Sequence, residues 1–421
     1  MARPALGAKR QCQSCGVRFF DRGRADAACP KCGAAQAAAD DQTPAPPPPV
    51  KAPAGAARPQ NWSAEQKRAL DKVGRWLRAG EPQVFRLFGY AGVGKTTLAR
   101  HVAEGAAGEA AFAAFTGKAA LVMRSKGCAG ATTIHALIYR ASDSEEGSPT
   151  FKLNHDGPAS KAGLIVIDEC SMVDADLGRD LLSFGKPILV LGDPAQLPPV
   201  KGGGYFTDAE PDVMLTHIHR QAQNDPIIRL SQIVREGGAL SYGVYGESRI
   251  IRRAEVDAAD VLAADQVLVG VNRTRRAYNA RIRALRGVTE ALPVAGDRLV
   301  CLRNDRVKGL INGGLWTVET LHAMRKDFVR MTVTPQDEGG RSARVSVLKQ
   351  FFEGAEASLA WPLRRESDEF DYGYALTVHK AQGSQWDNVM LFDESAAFSE
   401  HRDRWLYTGL TRAAKRLTIV R

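Results

Sequence analysis

The run Gly89-Tyr-Ala-Gly92-Val-Gly94-Lys95-Thr96 restricts this chain more than any other, because it matches the pattern G-x-x-x-x-G-K-[ST] in its required context. An apolar run with strand character, VFRLFG, leads into it, and a helical pattern, Lys95–Glu104, follows. The glycines let backbone N–H groups turn inward around phosphates, and the helix N-terminus adds partial positive charge. Lys95 supplies a full charge to the β- and γ-phosphates, and the Thr96 hydroxyl suits a magnesium ion. Phosphate contacts are expected from Gly92, Val93, Gly94, Lys95, Thr96 and Thr97.

A phosphate cradle of this kind requires a carboxylate partner. Leu164–Asp168 is an apolar strand pattern ending in Asp168-Glu169. Asp168 is placed to hold magnesium, and Glu169 to orient and deprotonate an attacking water, which favours hydrolysis over transfer to another substrate. A third strand pattern ends in Gly192-Asp193-Pro-Ala-Gln196, where the Gln196 amide can bond both the γ-phosphate and the water. Arg220 in HIHRQ and Arg412 in TGLTRA are candidates for the positive charge that a phosphoryl-transfer transition state needs. On residue type alone, either could equally be a surface ion-pair partner.

Eight apolar runs, among them AAFAAF, PILVLGD, QVLVGV, YALTV, NVMLF and RLTIV, alternate with helical patterns such as Arg275–Arg286. Continuous rather than alternating hydrophobicity predicts parallel strands buried on both faces. Eight strands exceed one nucleotide-binding unit, so an α/β fold with two such sheets is expected within the 421 residues. Two inserts interrupt the rhythm. Residues 141–161 are polar and read as a small hairpin. Residues 295–369 hold short β patterns around the turn signal Asn312-Gly313-Gly314 and read as a small antiparallel barrel.

The N-terminal part differs in kind. Cys12-x₂-Cys15 and Cys29-x₂-Cys32 have the spacing of a structural zinc ribbon. So few apolar side chains surround them that zinc, at roughly 10–16 kcal/mol, is the expected source of folding energy. Arg18, Phe19, Phe20, Arg22 and Arg24 between the pairs suit nucleic acid, and protein docking is an equal alternative. Pro44–Pro59, with seven prolines in sixteen positions, reads as a semi-rigid tether. The formal charge of +10 favours a polyanionic partner. The N-terminus shows no export signal and no run is long enough to span a membrane, so a cytoplasmic location is expected.

In order along the chain stand GYAGVGKTT, IVIDECSMVD, LVLGDPAQLPPV, LTHIHRQ, ALTVHKAQGSQWDNVML and LYTGLTRAAKRLTIV. Together they resemble motifs I to VI of the superfamily 1 helicases, and TVHKAQGS with GDPAQLPPV resembles the RecD/Dda-type branch. The resemblance runs from about Asn61 to Arg421. It implies two RecA-like P-loop domains, at 61–140 with 162–212 and at 213–294 with 370–421. The insert at 141–161 would be a wedge and that at 295–369 an SH3-like barrel. Residues 1–36 would be the zinc ribbon and 37–60 its linker.

The resemblance also implies roles. Gln66 would read adenine, Gly383 would contact the nucleotide, and Arg220 and Arg412 would both reach the γ-phosphate from the second domain. Thr116, Lys118, Thr133 and His135 would contact the strand from the first domain, and Asn272, Thr377 and His379 from the second. Gln385 stands where relatives often carry a ribose-bonding Glu, which implies looser ribose selection. The implied activity is an ATP- and magnesium-dependent DNA helicase or translocase moving 5′ to 3′ on single-stranded DNA. It would act as a monomer at duplex junctions in replication, recombination or repair, with a further protein docked through the ribbon. The other readings are an RNA translocase of the same superfamily and a zinc-ribbon adaptor carrying a P-loop domain.

Overall fold

The structure is a computed structural model, and it describes residues 9–11, 18–20, 28, 31–33, 62–142, 150–199, 203–217, 225–305, 307–336 and 340–421. It divides into two units, Met1–Asn61 and Trp62–Arg421. In the first unit, β1 (Lys9–Gln11) pairs antiparallel with β2 (Arg18–Phe20). Cys12, Cys15 and Cys29 lie outside the described residues. Cys32 is exposed in a short turn. Among the described residues no group of His, Cys, Asp or Glu gathers to hold a metal.

The second unit opens on a helix, Ala64–Ala79. Ser63 and Gln66 form a capping box at its start, and Gly80, in the left-handed region at φ 75°, ends it. The first sheet contains β3 (Val84–Gly89), β4 (Ala110–Ala114) and β5 (Thr132–Thr133). A two-stranded hairpin follows, β6 (Tyr139–Ser142) with β7 (Thr150–Leu153). The sheet is completed by β8 (Leu164–Asp168), β9 (Ile188–Gly192) and β10 (Val213–Leu215). Its order is β10-β3-β9-β8-β4-β5, all parallel. The period of two along a strand splits the apolar residues between two cores. Leu164 and Val166 enter one with Leu189 and Leu191, while Ile165 and Ile167 enter the other with Ile188 and Val190.

The second sheet has order β11-β12-β21-β20-β13-β19. Its first strands are β11 (Gly243–Tyr245), β12 (Ser248–Ile251) and β13 (Gln266–Val269). Between β13 and β19 lies a five-stranded antiparallel sheet: β14 (Arg298–Cys301), β15 (Leu315–Arg325), β16 (Phe328–Pro335), β17 (Ala343–Leu348) and β18 (Phe370–Tyr372). The chain then returns through β19 (Ala375–Thr377), β20 (Trp386–Phe392) and β21 (Ala413–Val420). The outer edge of β17 is tied to the residues before β18. Asp368 N–H donates to Ser346 O at 2.9 Å, and Leu348 N–H donates to Ser367 Oγ at 3.0 Å. The inserted sheet thereby closes on itself and leaves no long open edge.

Four element boundaries differ from the sequence reading. Val213–Leu215 joins the first sheet beside β3, because a three-residue strand is too short to show periodicity. The turn Pro158–Lys161 packs into the first sheet's core through Ala159, so it is not part of the hairpin insert. Phe370–Tyr372 completes the inserted sheet one strand beyond its expected end. The helix expected at Arg275–Arg286 begins at Asn272 and ends at Leu285.

A buried ion pair anchors the inserted sheet to that helix. Arg283 donates from Nε to Asp297 Oδ1 at 3.0 Å and from Nη2 to Oδ2 at 2.9 Å. Asp297, 1% exposed, also accepts from Val294 N–H and the Tyr374 hydroxyl. Asp297→Ala would leave the guanidinium buried without its counter-charge. It is expected to destabilise this half of the chain by about 3–5 kcal/mol in urea denaturation.

Candidate active site

The glycine loop joins β3 to the helix Lys95–Glu104. A side chain at Gly89 would stand 2.8 Å from both Leu215 Cβ and Val93 Cγ2, so only glycine fits there. Gly94 caps the helix at φ 86°. Lys95 Nζ donates to the carbonyls of Gly89 at 2.7 Å and Tyr90 at 3.0 Å, which parks the ammonium across its own loop. Thr96 Oγ1 donates to Asp168 Oδ2 at 2.9 Å. Hydroxyl and carboxylate are hard oxygen donors facing each other at the end of β8, a set that fits magnesium.

Glu169 directly follows β8 in the left-handed region, at φ 53° and ψ 44°. A non-glycine residue held there costs about 1–3 kcal/mol, a price the surrounding structure must meet. Asp168 Oδ1 accepts the Glu169 N–H at 2.8 Å. Burial pushes the Glu169 carboxyl above the usual range; Arg412 opposes this, Asp168 adds to it, Lys95 opposes and Asp193 adds. A more basic carboxylate suits proton removal from water.

Gln196 sits in the turn after β9, its N–H donating to Asp193 O at 3.1 Å. It is 7% exposed, and among the described residues its Oε1 has no hydrogen-bond partner. Such an atom needs a partner that the folded chain does not supply.

Arg412 comes from the other sheet, just before β21. It is 5% exposed and donates to Thr408 O, Ser384 O and Thr411 Oγ1 at 3.0, 3.3 and 3.1 Å. One cleft of about 290 Å³ is lined by Lys95, Thr96, Thr97, Asp168, Glu169, Gln196, Gly383, Gln385 and Arg412, among others. Its walls therefore come from both sheets. Arg220 lies outside the described residues.

Gln66 does not line this cleft. Its Oε1 accepts the Ser63 N–H at 3.1 Å and its Nε2 donates to Val93 O at 3.0 Å, so the amide ties the first helix's cap to the glycine loop.

The residues singled out as strand contacts gather at the carboxyl ends of outer strands. Thr116 follows β4 and Thr133 ends β5, and each hydroxyl caps the next helix, accepting the N–H of Ala119 and Ala136 at 3.1 Å. Lys118 lies on the helix that Thr116 caps. His135 is exposed between the rings of Phe115 and Tyr139. In the second sheet, Asn272 is exposed at its helix start and Thr377 ends β19, while His379 packs against Phe398. The first sheet thus carries its cleft-lining groups Lys95, Gln196 and Asp168 after or at the ends of β3, β9 and β8, and these polar groups at the ends of β4 and β5.

Several contacts across the cleft were not legible in the motifs. The Tyr407 hydroxyl donates to Asp193 Oδ2 at 2.8 Å and accepts the Ala91 N–H at 3.1 Å. Thr408 Oγ1 accepts the Leu197 N–H at 2.9 Å, and Gln382 Nε2 donates to Leu197 O at 3.1 Å. The Arg235 guanidinium lies 3.6 Å above the Tyr90 ring. The strongest signal for Tyr407 is a polar aromatic side chain beside Thr408 in a short stretch flanked by leucines, LYTGL.

Two family models match the part of the chain that carries the cleft. The family described as "AAA domain" matches residues 61–255, and "UvrD-like helicase C-terminal domain" matches residues 372–420. Residues 1–74 match a family described as a protein of unknown function. The chain is 30% identical over 385 residues to the "ATP-dependent RecD2 DNA helicase" of Deinococcus radiodurans, covering 84% of this chain and 48% of that protein. It is 26% identical over 400 residues to the conjugal transfer protein TraA of Rhizobium radiobacter, covering 84% and 33%. The chain thus spans half or less of the length of these relatives. A Pif1 helicase structure described as the structural basis for DNA unwinding at forked double-stranded DNA by two coordinating Pif1 helicases shares the fold at TM-score 0.54 and 19% identity, over 85% of this chain and 92% of that one. A Bacteroides Pif1 in complex with ADP-AlF3 and single-stranded DNA does so at TM-score 0.51 and 18% identity, over 83% and 91%.

Gly383, at φ 76°, closes the cleft from the second sheet. A Cβ there would stand 2.8 Å from Ala119 Cβ and 2.9 Å from Thr116 Oγ1. Gly383→Ala is therefore expected to hold the two halves apart and to weaken binding of a fluorescent ATP analogue about tenfold, a loss of roughly 1.4 kcal/mol, in equilibrium titration.

Proposed function

We propose that the chain, which matches an AAA domain over 61–255 and a UvrD-like helicase C-terminal domain over 372–420 and is 30% identical to a RecD2 DNA helicase, is a RecD-type superfamily 1 helicase, an ATP-driven motor that moves 5′ to 3′ on single-stranded DNA and parts duplex ahead of it. The observation that carries this reading is the shared cleft. Lys95, Asp168, Glu169 and Gln196 stand on one sheet, and Arg412 faces them from the other.

In this mechanism Lys95 leaves the Gly89 and Tyr90 carbonyls for the β- and γ-phosphates of ATP. Thr96 and Asp168 would hold magnesium, which when bound supplies charge neutralisation at the phosphates. Glu169 removes a proton from the attacking water while the free Gln196 Oε1 orients it. Arg412 stabilises charge on the transferring phosphoryl group, and Arg220 is assigned the same task. Cleavage removes the anion that draws Arg412 inward, so the two sheets separate and close once per turnover. Thr116, Lys118, Thr133 and His135 would grip the strand from one side, and Asn272, Thr377 and His379 from the other. Hydroxyl, amide and imidazole groups position phosphates without reading bases.

The hairpin β6–β7 is read as the wedge and the closed five-stranded sheet as the SH3-like barrel. The N-terminal cysteines are read as a zinc ribbon. In support, the first Cys pair falls in sequence between paired strands β1 and β2, and Gly33 after Cys32 adopts φ 71°. The exposed Gln385 at the cleft suits loose ribose selection. Among the described residues no helix is long and apolar enough to cross a membrane.

Lys95→Ala is expected to abolish strand-stimulated ATP hydrolysis while single-strand binding persists. Wild-type turnover in that variant would remove the loop from the mechanism. The wild-type chain is expected to unwind a 5′-tailed duplex and leave a 3′-tailed one intact, with DNA stimulating turnover more than matched RNA. Equal use of both tails would contradict the direction assigned here.

A further inference from the structure

We propose that Tyr407 is a positioning residue for ATP hydrolysis. Its hydroxyl pins the helix that ends just before Arg412 to the glycine loop and to the Asp193 turn, and so sets where Arg412 stands over the γ-phosphate. The inference rests on the ATPase reading and adds to it a residue to which the motif pattern assigned no role.

The hydroxyl is committed in both directions. It donates to Asp193 Oδ2 at 2.8 Å and accepts the Ala91 N–H at 3.1 Å. Those partners sit on the loops after β9 and β3, which are neighbours in the first sheet. Tyr407 is 1% exposed, so water cannot replace either bond without repacking. Through Asp193 the hydroxyl also reaches the turn that presents Gln196. Asp193 Oδ1 accepts the Ala195 N–H at 3.0 Å, and the Gln196 N–H bonds to Asp193 O.

The same residue is tied to Arg412 through the helix end. The Thr411 N–H donates to Tyr407 O at 3.1 Å, and Arg412 Nε donates to Thr408 O at 3.0 Å. Any rotation of the helix Arg402–Leu410 that pulls the hydroxyl from its partners therefore also withdraws the guanidinium. One phenol group thus registers three parts of the cleft against one another: the glycine loop, the Gln196 turn and Arg412. It touches no substrate atom, so its effect should fall on the chemical step more than on nucleotide binding.

The test compares strand-stimulated ATP hydrolysis by the full chain and by Tyr407→Phe, which keeps the ring and removes the hydroxyl. The expected result is a fall in kcat of about tenfold or more, with KM for ATP moving less than about threefold. ADP affinity should stay near wild type, while the thermal midpoint falls by only about a few degrees as Ala91 N–H and Asp193 Oδ2 lose their partner. Asp193→Asn, which keeps the shape but removes the charge that accepts the tyrosine proton, should show the same kcat-selective loss. Combined with Tyr407→Phe, it should add little to the more severe single variant. Unchanged kcat in Tyr407→Phe would overturn the inference. So would a parallel loss of kcat, ADP affinity and thermal midpoint, which is the signature of a merely structural tyrosine. A wild-type chain with no strand-stimulated turnover would instead overturn the ATPase reading on which the inference stands.

Discussion

A buried guanidinium bonded to neutral oxygens governs this molecule. Arg412 is 95% buried, and its hydrogen bonds go to two carbonyls and a hydroxyl. Dipoles of that kind only partly offset the cost of removing a full charge from water. The remaining field comes across the cleft from Asp168, Glu169 and Asp193, the carboxylates at the ends of β8 and β9. Arg412 and Lys95 thus share the cleft with three carboxylates, and in the proposed mechanism a triphosphate together with its magnesium would enter between them. In the proposed motor, closing on a triphosphate and reopening after its cleavage would act through this pairing of Arg412 with the first sheet's loops.

The two sheets divide their labour by strand position. In the first, central strands carry the nucleotide groups and the outer pair β4–β5 carries Thr116 and Thr133. In the second, Arg412 precedes β21, while Asn272 and Thr377 stand at β13 and β19 on the opposite flank. The inserted sheet reaches toward the polar flank. Lys380 Nζ donates to Asn312 Oδ1 at 2.6 Å, and Ile311 fills the space that a side chain at Gly117 would need. In the proposed motor, a change of spacing at the cleft would have the two sheets and this bonded loop of the inserted sheet through which to reach the flank that carries Thr116, Thr133, Asn272 and Thr377.

Much of this was legible because parallel strands buried on both faces are written as unbroken apolar runs. All eight such runs are strands, and Lys95–Glu104 is a helix with the expected ends. The glycine loop and Asp168-Glu169 were legible because phosphate and metal chemistry demand those residue types at those spacings. What stayed hidden depends on distant partners. Val213–Leu215 is a strand only because β3 lies beside it. Gln66 resembles an adenine reader by position, yet its amide is taken up by a helix cap and by Val93 O. Tyr407 reads as core by hydrophobicity, and its hydroxyl acquires meaning only when Ala91 and Asp193, more than two hundred residues earlier, are brought beneath it.

The most direct measurement is the distance between the two sheets' domains through the nucleotide cycle. Fluorophores carried by non-natural amino acids at the exposed positions Arg75 and Glu247 would report it by single-molecule energy transfer on single-stranded DNA. The account predicts a shorter distance with a non-hydrolysable ATP analogue than with ADP or no nucleotide, and loss of that shortening in Arg412→Ala while the analogue still binds. One distance shared by all three nucleotide states would contradict it.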